Sequence, residues 1–177
     1  MFLNELRGLG SSDYVVSLDM DGVLADFSAK VEEVFGKPIE ALDSRTLWSG
    51  ITRYDKEVEP FFENLPMMND ARELINFVDA NFKKWNILSA GGYTPKNVAE
   101  QKKRWIAKVI SPRVDVIVVQ KSNEKANYAG PKNILVDDRM KSIGPWRSAG
   151  GIGILHTSAK TSIEELKPFI PKSLDNR

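Results

Sequence analysis

Five short apolar runs punctuate the chain: Val15–Leu18, Trp85–Ser89, Val114–Val119, Ile134–Val136 and Ile152–Leu155. They are nearly continuous rather than alternating, the pattern of parallel strands covered on both faces. Between them, apolar positions recur at helical spacing. Asn69 is placed to cap a helix reaching about Asn81, with Ala71, Leu74, Ile75 and Val78 as its stripe. Thr94-Pro95 is expected to open another, turning Val98, Trp105 and Ile106 to the sheet. Shorter helices are expected over Ser122–Ala129 and Met140–Ala149. A last one includes Ile163–Leu166, with Thr161 or Ser162 near its cap and Pro168 limiting it. This alternation predicts an α/β fold of three layers around a central parallel sheet.

The interval before Asn69 breaks the alternation. Ala25–Phe35 reads as a helix with Phe27, Val31, Val34 and Phe35 on related faces, and Gly36-Lys37-Pro38 interrupts it. Leu42, Leu47, Trp48, Ile51, Phe61 and Phe62 follow, too many large apolar groups for a disordered linker. Residues 27–68 are therefore expected to form a small, mostly helical cap over the C-terminal end of the sheet. Residues 1–26 and 69–177 would then make one core. The alternative is a set of helices packed on the sheet flank.

Composition narrows the chemistry. With no cysteine, disulfides, thiolate catalysis and thiolate-ligated zinc are excluded. One histidine, His156, excludes a multi-histidine metal site, so any metal is expected to be oxygen-ligated Mg²⁺ or a close substitute. His156 itself reads as structural or exposed. A net charge of +1 gives no reason to expect a broad nucleic-acid surface. Met1–Asp13 lacks a basic segment followed by a long apolar run, and no stretch has the length to span a bilayer. A cytoplasmic protein that does not engage membranes is the expectation; the oligomeric state is open, a homodimer included.

The chemistry-bearing residues gather at strand ends. Val15–Leu18 runs into Asp19-Met20-Asp21-Gly22, where strand alternation would turn both aspartates to one side and the glycine would permit a sharp turn. Ser89 ends the second strand, and Asp137-Asp138 follow the fourth. Lys121 and Lys125 lie between the third and fourth, four residues apart and so on one face of a helix that begins early enough. In a doubly wound sheet such ends converge on one crevice. Carboxylates, a hydroxyl and an ammonium group there suit a divalent cation and a nucleophile on phosphorus.

At this point the chain resembles the haloacid dehalogenase-like phosphatase superfamily, and within it the small 5′(3′)-deoxyribonucleotidases. The resemblance is carried by Asp19-Met20-Asp21-Gly22-Val23-Leu24-Ala25-Asp26-Phe27, Ile87-Leu88-Ser89-Ala90, Ile134-Leu135-Val136-Asp137-Asp138-Arg139 and Ala149–Leu155. It implies a Rossmann-like core and makes Asp19 the nucleophile that forms an aspartyl-phosphate. Asp21 would protonate the leaving alcohol and then deprotonate the hydrolytic water. The carboxylates of Asp19 and Asp137 and the carbonyl of Asp21 would hold Mg²⁺, with Asp138 joining directly or through water. Ser89 and the Ala90 amide would bind phosphate oxygens. Lys125, preferred over Lys121, would neutralise charge beside the nucleophile.

The leaving group must be chosen elsewhere, by the cap and the loops. Phe27, Trp48, Phe61 and Phe62 are candidates for a base-stacking wall, although each also suits packing inside the cap. Ser89-Ala90-Gly91-Gly92-Tyr93 departs from the deoxyribonucleotidase pattern, which leaves base and 5′ or 3′ preference open; Tyr93 is a candidate substrate contact. Lys96, Lys102, Lys103, Arg104 and Lys108 read as a solvated helix face. The expected function is a Mg²⁺-dependent phosphomonoesterase acting on a small substrate, a (deoxy)nucleoside monophosphate. The alternatives are a nucleic-acid end phosphatase and a non-catalytic nucleotide- or protein-binding domain.

Overall fold

A computed structural model describes residues 12–171. The outermost parts of the expected core, residues 1–11 and 172–177, lie outside the described residues, as does most of the leader expectation for Met1–Asp13. The five strands form one parallel sheet: β1 (Ser12–Leu18), β2 (Phe82–Ala90), β3 (Val116–Val119), β4 (Asn133–Asp137) and β5 (Ile152–Leu155). Their spatial order is β3-β2-β1-β4-β5. The chain runs outward on one side of β1, then returns to build the other side. That reversal leaves a crevice beyond the C-terminal ends of β1 and β4. Among the described residues the α-helices are α1 (Phe27–Phe35), α2 (Ser44–Glu57), α3 (Ala71–Asn81), α4 (Val98–Val109), α5 (Met140–Ser148) and α6 (Ala159–Leu166). The α/β architecture expected from the apolar runs is the one observed. Among the described residues, no helix is long and apolar enough to cross a membrane.

The element ends moved where local chemistry outweighed the apolar pattern. Ser158, rather than Thr161 or Ser162, caps α6: its hydroxyl accepts from the Thr161 amide at 3.2 Å while Thr161 Oγ1 accepts from the Ser158 amide. α4 starts at Val98, after a cis Thr94–Pro95 peptide, and α3 starts at Ala71, with Asp70 instead of Asn69 at the cap position. β2 begins three residues early because Phe82 joins it directly from α3 and pairs with Ser12. Residues Ser122–Tyr128 form a 3₁₀ segment rather than an α-helix.

The segment between β1 and α3 is ordered by caps and aromatics. Asp26 accepts from the Ala29 amide at 2.9 Å to start α1, and Gly36, at φ 63°, ends it. Asp43 does the same for α2 through the Thr46 amide and hydroxyl. Leu47, Ile51, Phe61 and Phe62 are buried in the same apolar core as Val16 and Leu18 of β1. Gln101 of α4 ties this segment down, accepting from the Phe62 amide at 2.8 Å and donating to Asp55 at 2.6 Å. Trp105 donates to the Leu65 carbonyl at 2.7 Å.

Candidate active site

The loop after β1 is built to hold its carboxylates still. The amides of Leu24 and Ala25 both donate to the Met20 carbonyl at 2.8 Å, and Gly22 returns a bond to Ala25 at 2.9 Å. Gly22 has φ +80°, and a Cβ there would collide with the Asp138 carboxylate. Only glycine satisfies both conditions, so the turn brings the first and fourth strand ends into contact.

Around this turn, Asp19, Asp137 and Asp138 bring carboxylate oxygens within 4.8 Å of one another. Lys125 is buried against them. Its ammonium donates to Asp137 Oδ2 at 2.6 Å and forms an ion pair with Asp19 Oδ1 at 2.9 Å. Of the two lysines, Lys125 therefore occupies the position beside Asp19, and Lys121 stands exposed at a cavity lip. The other oxygen of Asp137 accepts the Arg139 amide at 2.9 Å. One ammonium opposite three carboxylates leaves the cluster short of positive charge. An all-oxygen set of this kind fits a hard divalent cation. The lone histidine is engaged elsewhere, with Nδ1 2.8 Å from Ser162 Oγ.

Asp21 stands apart from the acidic cluster. Its side chain turns to Lys102, whose Nζ lies 2.7 Å from Asp21 Oδ2. The same ammonium donates to Ser89 Oγ and to the Ala90 carbonyl, each at 2.8 Å, and sits 5.3 Å from the Phe62 ring centre. The expectation that Lys102 belongs to a solvated face is thus incorrect: it is fully buried. Val98, Gln101, Lys102, Trp105 and Ile106 form one buried stripe of α4. Lys102 falls midway between Val98 and Ile106, a spacing that could have revealed it. Lys96, Lys103, Arg104 and Lys108 are exposed as expected.

The carboxyl groups differ in their protonation. Burial works against the charged form of Asp19, but the ammonium groups of Lys125 and Lys102 and the Met20 amide hold it below the ordinary aspartate value. Burial raises Asp21, and the charge of Asp19 adds to this against the pull of Lys102. Asp137 is raised by burial and by Asp19, against Lys125. Asp138 keeps contact with solvent, yet desolvation by the atoms packed round it, then Asp19 and Asp137, push it up to about 7. An ionised Asp19 beside a more readily protonated Asp21 is the split that a nucleophile and a general acid require.

Two cavities meet at Asp21, Trp48 and Arg139. One, of about 460 Å³, has Phe62 and Trp48 as its wall and Ala90, Gly91 and Gly92 along one side. The other, of about 560 Å³, lies against Phe27, Ile39, Leu47 and Met68. Phe27 and Phe62 rings stack at 5.9 Å, and Phe27 and Trp48 lie 6.1 Å apart. Phe61 is fully buried beneath Phe27 and Tyr54. Tyr93 is exposed and borders neither cavity; Gly91 and Gly92 take that edge. Ser89 is buried behind Lys102, with the adjacent Ala90 reaching the cavity.

No family model matches the sequence, and no curated protein matches it. Solved structures do share its architecture. A haloacid dehalogenase-superfamily hydrolase from Ehrlichia chaffeensis aligns with TM-score 0.54 and 15% identity, over 91% of this chain and 98% of its own. A hydrolase of that family from Deinococcus radiodurans R1, with bound phosphate and sodium, gives TM-score 0.50, 13% identity and 89% of each chain. The L-2-haloacid dehalogenase of Xanthobacter autotrophicus, with chloropropionic acid covalently bound, gives 0.50 and 14%, over 88% and 83%. This chain has the haloacid dehalogenase-like hydrolase fold. In that fold the acidic cluster stands at the ends of the central strand pair, β1 and β4, where the chain reverses direction across the sheet.

Proposed function

We propose that the protein is a Mg²⁺-dependent phosphomonoesterase that hydrolyses a (deoxy)nucleoside monophosphate through an aspartyl-phosphate. The observation that carries this reading is the divided pair on one loop: Asp19 in the acidic cluster with Lys125, and Asp21 two residues on, held by Lys102. A nucleotidase resembling the 5′(3′)-deoxyribonucleotidases is the finer form of the reading. It is supported by Trp48, exposed beside Asp21 where the two cavities meet, with Phe27 and Phe62 stacked on one another in the cavity walls. Residues 27–68 act in this reading as the cap that supplies those rings.

Asp19, kept ionised by Lys125 and Lys102, attacks phosphorus while Asp21 delivers its proton to the leaving alcohol oxygen. Asp21, now a carboxylate, accepts a proton from the water that cleaves the aspartyl-phosphate, which restores both groups. Asp19, Asp137, Asp138 and the Asp21 carbonyl would hold Mg²⁺, which when bound screens the anionic substrate from the anionic nucleophile. Ser89, whose oxygen accepts from Lys102, retains its own proton to donate to a phosphate oxygen. Lys125 and Lys102 provide fixed positive charge that needs no reorganisation during the reaction.

The test is phosphate release from 5′- and 3′-nucleoside monophosphates, sugar phosphates and phosphorylated oligonucleotides, with Mg²⁺ or EDTA, for wild type and Asp19→Asn. Turnover strongest on nucleotides, abolished by EDTA and by Asp19→Asn, supports the proposal. Full activity of folded Asp19→Asn rejects the mechanism. An oligonucleotide as best substrate keeps the chemistry and moves the function to nucleic-acid ends.

A further inference from the structure

The scissile phosphate already has its positive charge supplied on one side of Asp21: Lys125 and Lys102 are buried there, and the acidic cluster fits a divalent cation. The 460 Å³ cavity nevertheless carries three more cations, Lys121, Arg139 and Lys141. All three are exposed, and among the described residues none has a carboxylate within ion-pair distance. Glu124, the acid nearest in sequence to Lys121, does not neutralise it. Its Oε2 accepts the backbone amides of Gln120 and Lys121 at 3.0 and 3.3 Å. Arg139 and Lys141 feel one another: after burial, the Arg139 charge is the main influence that lowers the Lys141 ammonium. Unpaired cations gathered on one cavity, beyond those a single phosphate needs, form a receptor for a further anion.

We infer that Lys121, Arg139 and Lys141 make a second anion subsite, and that the preferred substrate is a small phosphomonoester carrying another phosphate on its leaving group. This rests on the phosphomonoesterase reading and narrows its substrate class. A cavity of this volume is in the range of small-ligand sites. Trp48, exposed on its wall, provides a ring face for the body of the leaving group between the two phosphates. A nucleic-acid strand is the weaker match, because the exposed cations on α4 are partly neutralised: Lys103 pairs with Glu100 and Arg104 with Glu63. Those two pairs reduce the free charge this helix could offer a strand.

The test compares a nucleoside 5′-monophosphate, the 3′,5′-bisphosphate of the same nucleoside and a 5′-phosphorylated oligonucleotide. Initial rates are measured with Mg²⁺ for wild type and the double variant Lys121→Ala/Lys141→Ala. Calorimetric binding of the two nucleotides to Asp19→Asn supplies a readout independent of turnover. The bisphosphate is expected to exceed the monophosphate about tenfold in both kcat/KM and affinity, as for contacts to two partly screened cations. That ratio should contract to about twofold in the double variant and with rising salt. Equal rates and equal affinities overturn the inference while leaving the phosphatase reading intact. A ratio unchanged in the double variant, or an oligonucleotide preferred to the bisphosphate, overturns it as well. Absence of turnover on every probe rejects the phosphatase reading; tighter bisphosphate binding to Asp19→Asn would then still support the subsite, and equal or undetectable binding of both nucleotides would reject both.

Discussion

Lys102 Nζ is 2.7 Å from Asp21 Oδ2, and this bond comes from a lysine with no solvent exposure. It leaves the second oxygen, Oδ1, buried and without a hydrogen-bond partner among the described residues. The carboxyl is thereby oriented by one oxygen, with the other available for a proton. Because the same ammonium also binds Ser89 and Ala90, it couples the turn after β1 to the end of β2. Two loops that a reaction must keep in register are joined through one atom.

Replacing Lys102 with methionine keeps the stem and removes the charge. The expected result is a fall in kcat of roughly 10²-fold, within the range for disturbed general acid catalysis, with a smaller change in KM. Stability should drop by about 1–3 kcal/mol, because the partners of a buried charge are left unpaired. Steady-state kinetics and denaturant unfolding measure the two effects separately.

The acidic cluster should make the metal-free protein less stable as pH rises. Asp138, at about 7 when folded against an ordinary value of 3.8, binds more protons in the folded state between those limits. Its contribution is full below about pH 4 and is lost as pH rises through 7. Asp21 and Asp137 act in the same direction, and Asp19 in the opposite one. Asp138→Asn should therefore stabilise the metal-free protein at pH 8 by about 1–2 kcal/mol, the nominal shift being reduced for solvent screening. Mg²⁺ should raise the wild-type Tm most at high pH and that of Asp138→Asn much less. Thermal melts from pH 5 to 8, with Mg²⁺ or EDTA, check this.

Gly22→Ala should damage folding and metal affinity together. Alanine is strained at φ +80°, and its Cβ displaces the Asp138 carboxylate. The expected cost is about 1–3 kcal/mol, accompanied by weaker divalent-cation binding. A variant with wild-type stability and metal affinity would show that the turn tolerates a side chain.

His156 offers a clean titration, because it is the only histidine. Burial lowers its pKa from 6.5, and the Asp70 charge opposes this only in part. With a folded value below the unfolded one, the stability from keeping the ring neutral is present above about pH 6.5. It is lost as pH falls through the folded value. The imidazole resonances in an NMR titration should move with a midpoint below 6.5; a midpoint above it would contradict the buried, Ser162-bonded ring.

Much of the architecture is legible along the chain because it depends on local regularities. Short apolar runs separated by helical stripes specify a two-sided parallel sheet, and the reversal of connections places Asp19, Asp137 and Asp138 at neighbouring strand ends. Gly22 marks a turn wherever it is read. The spacing of Lys102 with Val98 and Ile106 marks its place on the buried face, but which groups its long stem reaches there, Asp21, Ser89 and Ala90, is set by other elements of the fold. Nor could spacing separate Lys121 from Lys125, since a four-residue repeat puts both on one face and only packing buries the second against Asp137. Periodicity states which positions share a face; which distant groups that face meets, and so which charges are paired and which left for a ligand, is decided by the tertiary structure.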